Sequence, residues 1–403
     1  MQMQHQLKER FYSLDVFRGA TVCLMILVNN PGSWSHIYAP LDHSEWHGVT
    51  PTDIVFPFFL FAVGNALAFV MPRLRAGGPS VFWKKIIKRT LLIFLIGLFL
   101  NWSPFVKWDN GSLVFKPWSY FDDAGYPQGI RIMGVLQRIA LAYFFGSVII
   151  YYLKIRGAFV VSCILLLGYW FLCIAENPAD PFSLYGWFGT NIDKAIIGDA
   201  HMYHGEWRNG RPVVFDPEGL MSTFGAIVQV IFGYFVGDYI IKKGKTPEML
   251  NGLFVAGAVF LFAGYAWDMV FPINKKIWTS SYVVYTTGLA MVIIAVMIYL
   301  IELKKHKGWL SKFFDVFGKN PLFIFVLSGF LPRLLGLIKI PSSIDAQGKP
   351  IYLSPFGWFY EHICKPIFPH NLNNSSLLYA LCMITFYWLI VYWMDKKRIY
   401  IKV

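Results

Sequence analysis

About ten apolar stretches, each close to the roughly 20 residues a helix needs to cross the hydrocarbon layer of a bilayer, run along the chain. They lie near residues 13–31, 53–72, 88–106, 132–153, 157–175, 219–241, 249–270, 280–301, 320–339 and 375–394. Inside a bilayer the backbone has no water to bond, so each stretch must satisfy its own N–H and C=O groups as a helix. The pattern predicts an all-α fold: a polytopic membrane bundle of about ten transmembrane helices. No internal repeat and no low-complexity linker interrupts the 403 residues, so 1–403 is expected to be a single transmembrane domain. Composition agrees, because only 15% of the residues are charged and 56% are hydrophobic, whereas a soluble domain carries about a quarter charged residues.

The formal charge of +13 would suit a nucleic-acid partner if the cations formed one patch, but they do not. Lys8 and Arg10, Arg73 to Arg89, Lys154 and Arg156, Lys242 to Lys245, Lys304 to Lys312, and Lys396 to Lys402 occupy the two termini and alternate short connections. That is the positive-inside distribution, which excludes nucleic acid as a partner, places membrane lipids around the chain and puts those connections in the cytoplasm. An even number of spans puts both termini there too. The longer loops near 32–52, 176–218 and 341–374 then face the outer side, the last with an expected interfacial helix around Phe356, Trp358, Phe359, Tyr360 and Phe368. The opening MQMQHQLKER is polar and runs into a span too long for a signal peptide's apolar region, so no cleavable signal is expected. Cys23, Cys163, Cys173, Cys364 and Cys382 show no metal-binding spacing and read as small core hydrophobes.

Ionisable groups are costly in a membrane and so mark candidate sites. Asp15 and Arg18 stand three apart on one face of the first span, either as a structural ion pair or with the Arg18 fork facing a phosphate-bearing donor. The same span ends at Asn29 and Asn30 before Pro31 and Gly32, where the amides could cap the helix or hold a carbonyl oxygen. His43 lies in the following loop, with Asp53 at the start of the next span. An imidazole titrates near neutral pH, and a carboxylate on its other ring nitrogen would set its tautomer. Trp46 in that loop is either a sugar-stacking platform or an interfacial belt residue.

A second polar cluster, Arg131, Gln137 and Arg138, opens the fourth span in GIRIMGVLQRIALAYF. His201 and His204 form an HxxH with no third ligand at a convincing spacing, so no metal is expected. Asp216 and Glu218 precede the sixth span, where they could favour the helix dipole or bind the ammonium of an amino sugar. Asn274, Lys275, Lys276 and Trp278 lead into the eighth span, and Asn320 and Pro321 begin the ninth. Together these supply inward polar groups for a ligand of appreciable size.

SLDVFRG followed by VNN, then HSEWHGVTPTDIVFPFFLFAVG, RIMGVLQRIALAYF, NIDKAIIGDAHMYH with FDPEGLMST, INKKIWTSSYV and a basic tail resembles the heparan-α-glucosaminide N-acetyltransferase family of transmembrane acetyltransferases, bacterial members included. The resemblance runs in order along nearly the whole chain. It implies transfer of an acetyl group from cytoplasmic acetyl-CoA to the amine of a glucosamine-type sugar, small or oligosaccharide, on the far side. It further implies a protein of the bacterial inner membrane, expected as a homodimer. Carried over by motif, the catalytic histidine falls on His43, its asparagine on Asn29 and the acidic residue after the loop on Asp53. Asp15, Arg18, Gln137, Arg138 and Asn320 are then the candidates on the CoA side. Asn30, Trp46, Arg131, His201, Asp216, Glu218 and Trp278 are the candidates on the sugar side. Two alternatives stay open: an O-acetyltransferase of surface glycans, whose LDVFRG-type opening is similar, and a transporter of amino sugars or cell-wall fragments.

Overall fold

A computed structural model describes residues 11–401 except 110, 124, 209, 210, 345–347 and 349. Lys8, Arg10 and Lys402, used above for orientation, lie outside the described residues. The chain is mostly helical. Among the described residues seven helices are long and apolar enough to cross a membrane: α1 (Tyr12–Asn29), α2 (Val55–Ala76), α4 (Val135–Glu176), α6 (Thr223–Lys243), α7 (Pro247–Asp268), α8 (Ser280–Ile298, continued to Leu303 by a wider turn) and α11 (Leu372–Lys396). An eighth arises if α9 (Trp309–Lys319) and α10 (Pro321–Leu335), bent by 77° at Asn320 and Pro321, are one broken span. The difference from the expected ten has physical causes. Two apolar stretches fall on the 42-residue α4, which breaks at Lys154 with φ 57°. Another falls on α3 (Gly78–Trp102), whose first half carries Lys84, Lys85, Lys88 and Arg89.

Helix ends follow local chemistry. α1 stops at Pro31, which cannot donate to a continuing turn. α7 starts where the Thr246 hydroxyl accepts from Met249 N at 3.1 Å, with Pro247 in the first turn. Close packing between helices depends on glycine. A Cβ on Gly19 or Gly318 would collide with the backbone of α9 or α1, and one on Gly64 or Gly233 with that of α6 or α2. Association in lipid relies on such close contact, because burial of apolar surface gives helices little advantage over lipid tails.

The loops at one end are long and joined to one another. Trp46 Nε1 donates to Phe182 O at 2.8 Å, Gly48 N to Ile273 O at 2.7 Å, Ile132 N to His201 O at 2.9 Å and Trp108 Nε1 to Leu337 O at 2.9 Å. Within them, among the described residues, sit four two-stranded antiparallel hairpins that hydrophobic periodicity does not reveal: β1 (Val106–Asp109) with β2 (Ser112–Phe115), β3 (Ser119–Phe121) with β4 (Pro127–Gly129), β5 (Glu206–Arg208) with β6 (Arg211–Val213), and β7 (Ile340–Ile344) with β8 (Pro350–Leu353). The expected helical turn in the last long loop is present at Pro355–Phe359. A short helix, α5 (Gly189–Ile197), lies in the loop before α6. At the opposite end the connections are tight, and Glu302 accepts from Ser13 N at 3.0 Å while pairing with Lys245 at 3.1 Å.

Candidate active site

The loop between α1 and α2 is folded around the Asp53 carboxylate. Oδ2 accepts from Ser44 N at 3.1 Å, Thr50 N at 3.0 Å and Thr50 Oγ1 at 3.1 Å, which wraps residues 44–50 about it. Oδ1 is left for His43 Nδ1 at 2.6 Å. The Asp53 side chain is 1% exposed, and its main-chain oxygen accepts from Tyr282 OH at 2.6 Å, which ties the loop to α8. A histidine held this way carries its proton on Nδ1 and presents the Nε2 lone pair as a base. Lys275 Nζ stands 3.4 Å from the same Oδ1 and 3.5 Å from Nε2.

The electrostatics are set by competition. Burial alone would raise the Asp53 carboxyl. The His43 hydrogen bond, the Lys275 charge and the Thr50 and Ser44 N–H groups outweigh it and hold the carboxyl well below the usual carboxylate range. Burial pushes the Lys275 ammonium below the ordinary lysine value, and Asp53 and Glu218 only partly restore it.

These groups line a cavity of about 440 Å³ with Asn29, Arg131, Tyr203, Glu206, Glu218, Lys276 and Trp278. Arg131 is its electrostatic centre on the far wall. Its Nε donates to Asp216 Oδ2 at 3.0 Å, and its terminal nitrogen reaches both Asp216 Oδ1 and Glu218 Oε2. Burial opposes the guanidinium charge, but the two carboxylates outweigh it and raise Arg131 above its ordinary value. Asp216 and Glu218 therefore spend their charge on Arg131, although Glu218 still faces the cavity. Lys276 pairs with Glu206 at 2.6 Å. Trp278, 1% exposed, packs edge-on against Phe56 at 4.9 Å and lies under the Arg138 guanidinium at 5.0 Å.

A second cavity of about 370 Å³ adjoins the first and shares Met25, Asn29, Arg131, Val135 and Phe325 with it. Asn29, at the last turn of α1, stands where the two meet. Asn30 lines only the second cavity and donates to Ile26 O of its own helix at 3.0 Å. Gln137, almost wholly buried, lines the second cavity, and Arg138 lies behind the wall of the first, bonded to Ser222 Oγ and to Gly219 O at 3.2 Å.

The other sequence candidates stand apart. Trp46 lines neither large cavity and is held by Phe182 O and the Phe215 ring. His201 bonds Ile130 O at 2.8 Å and stacks on Trp118 at 4.7 Å. Arg18 and Asp15, 3.5 Å apart, sit at the other end of α1, where Arg18 lines a cavity of only about 30 Å³ and donates to Gly318 O at 3.3 Å. That small cavity shares no lining residue with the two large ones. Asn320 is buried and bridges Ile399 O at 3.0 Å and Ile401 N at 2.8 Å.

The sequence groups Lys275 only with the other polar residues leading into the eighth span and gives it no link to His43 or Asp53. The available signal was a pair of lysines in INKKIW on the side of the membrane where the charge rule expects few.

Residues 10–199 match the family model described as heparan-alpha-glucosaminide N-acetyltransferase, catalytic. The chain is 26% identical over 379 residues to the human heparan-alpha-glucosaminide N-acetyltransferase, an alignment covering 79% of this chain and 53% of that protein. The mouse protein of the same name is 25% identical over 366 residues, with the same coverage. The chain thus spans about half the length of the curated relatives it matches.

Proposed function

We propose that this chain, a heparan-alpha-glucosaminide N-acetyltransferase-like membrane protein, moves an acetyl group from acetyl-CoA, supplied at the cytoplasmic face, to the amine of a glucosamine-type sugar on the other side. The observation that carries the reading is the Asp53–His43 pair at the wall of a cavity that Asn29 also lines. In this mechanism Asp53 fixes the His43 tautomer, and Nε2 takes the proton from the attacking amine as nitrogen bonds to the thioester carbonyl carbon. The Asn29 amide donates to the oxygen that gains charge. Collapse breaks the carbon–sulfur bond, and the proton held on Nε2 passes to the departing thiolate. A variant of the route, with the acetyl carried transiently on His43, uses the same residues.

Arg18, with Asp15 modulating its charge, is assigned to the phosphates of the co-substrate. Ten spans with both termini cytoplasmic, in a bacterial inner membrane, complete the reading. In it the α4 break separates two spans, α3 is a span with a basic cytoplasmic end, and α9 with α10 makes one.

The test is acetyl-CoA consumption by detergent-purified protein with glucosamine, its oligosaccharides and a neutral sugar, beside His43→Ala. Turnover with the amine, lost in the variant while CoA binding persists, is expected. Turnover with the neutral sugar alone would move the reading to O-acetylation. Unchanged turnover in the variant would overturn the histidine assignment.

A further inference from the structure

The second cavity, of about 370 Å³, lies beyond the one that His43 lines, and its walls have two characters. Leu100, Val135, Leu136, Phe325 and Gly329 give it an apolar face, with Asn101, Gln137 and Ser328 as polar groups beside it. Toward the outer loops Arg333 lines it and donates to Leu100 O. Beyond Arg333 come Lys116, which donates to Ser103 O at 3.2 Å, and Lys107, which lies over the Tyr120 ring at 4.6 Å. Among the described residues no carboxylate pairs with Arg333, Lys116 or Lys107. Burial first, then the charges of Arg333 and Lys107, push the Lys116 ammonium below its ordinary value. Three cations crowd together without an acid, on the side of the membrane that the charge rule leaves poor in them.

The wall between α3 and α10 is thin. Ile324 is the single buried residue of α10. A Cβ added to Gly329 would meet only the Leu100 side chain, at 3.8 and 3.9 Å. Leu91, Leu95 and Phe99 of α3 are exposed beside that seam. An apolar slot at a helix seam, topped by unpaired cations, has the chemistry of an amphiphile's tail and its anionic head.

We propose that this cavity seats a lipid-borne phosphate, and that the acceptor amino sugar reaches Asn29 and His43 as the head group of such a lipid. The phosphate rests on Arg333 and Lys116, and the hydrocarbon lies in the seam between α3 and α10. The inference rests on the acetyltransferase reading and specifies the substrate class of its site.

The whole protein in phosphatidylcholine nanodiscs is assayed with four acceptors: glucosamine, glucosamine 1-phosphate, dodecyl glucosaminide and glucosaminyl dodecyl phosphate. A sulfated glucosaminyl disaccharide is added as a soluble polyanion. The acceptor with both phosphate and tail is expected to show a KM at least about tenfold below that of dodecyl glucosaminide, from charge-assisted hydrogen bonds to the phosphate. That ratio should fall to about one in Arg333→Gln and drop severalfold in Lys116→Gln, which changes a loop position rather than a span. An equal gain with glucosamine 1-phosphate or the sulfated disaccharide would overturn the lipid in favour of a soluble anion.

Native mass spectrometry supplies a readout independent of turnover. Retention of one phosphatidylglycerol per chain, at least about tenfold weaker in Arg333→Gln and displaced by glucosaminyl dodecyl phosphate, supports the lipid-phosphate site even if no acceptor is acetylated, in which case the acetyltransferase reading and the acceptor role fall and the site stands. Retention that glucosaminyl dodecyl phosphate does not displace marks an ordinary bilayer lipid and overturns the acceptor assignment. Retention equal in wild type and variant overturns the site.

Discussion

Lys275 Nζ lies 3.0 Å from His43 Nδ1 and 3.4 Å from Asp53 Oδ1, so one carboxylate oxygen serves an imidazole and an ammonium together. With the Nδ1 proton given to Asp53, the ammonium cannot also donate to Nδ1, and its effect on the ring is repulsion of a second proton. Lys275→Met removes that repulsion. The Asp53 carboxylate also loses one of the partners that hold it below its ordinary value, and kcat/KM should fall by about tenfold with CoA binding retained. Turnover equal to wild type would show that Lys275 does not act on the pair.

Asp53→Asn keeps the size of the side chain but offers His43 an N–H where it now meets an acceptor, which inverts the imidazole tautomer. Acetyl transfer should fall by about 10²–10⁴-fold with CoA binding retained. Because the folded carboxyl is held below its ordinary value, its contribution to stability is complete above about pH 4 and is lost only as pH falls further. Thermal unfolding between pH 5 and 8 should therefore carry no slope from Asp53.

Arg131 is the cation between Asp216 and Glu218, both largely withdrawn from water. Arg131→Ala leaves two like charges side by side, and a loss of about 3–5 kcal/mol at neutral pH is expected. Adding Asp216→Asn should recover part of it. Equal midpoints for the single and double variants in a detergent unfolding series would refute the account.

Asp193 is fully buried on α5, accepts from Leu220 N at 2.9 Å and Met221 N at 3.3 Å through one oxygen, and has no partner for the other among the described residues. Burial pushes its carboxyl up to about 6, against those two N–H groups. A raised carboxyl favours the folded state while protonated, so stability should decline as pH rises from about 4 through 6, by roughly 2–3 kcal/mol. Asp193→Asn should flatten that decline, as read by thermal midpoints across pH 4 to 8.

Spacing revealed some of this and hid the rest. The helices of the bundle follow from runs of apolar residues, and the His43 and Asp53 candidates from ionisable residues interrupting them. The hairpins at Val106–Phe115 and Ser119–Gly129 escaped notice because short exposed strands leave no periodic pattern. Asp15, Arg18 and Asn320 stand out in the sequence as polar residues within apolar spans, but their place at the opposite end of the bundle from His43, and their bonds to α9 and to the chain after α11, are not legible in spacing. Lys275 comes to Asp53 from 222 positions away, a proximity set by the α2 and α8 contact through Tyr282 that no local pattern records. Arg131 could be recognised as costly, but not as the partner of carboxylates 85 and 87 residues downstream.

Asn320 sits at the 77° corner between α9 and α10 and has both ends of its amide fastened to the main chain at Ile399 and Ile401. Residues 399–401 thus act as a latch on that corner. Removing them strips a buried amide of both partners and frees the corner to straighten, a change that would be felt along α10 as far as Arg333. Purification handles and fluorescent reporters should therefore leave residues 399–401 undisturbed, and a variant lacking them should be judged first by whether α10 keeps its angle.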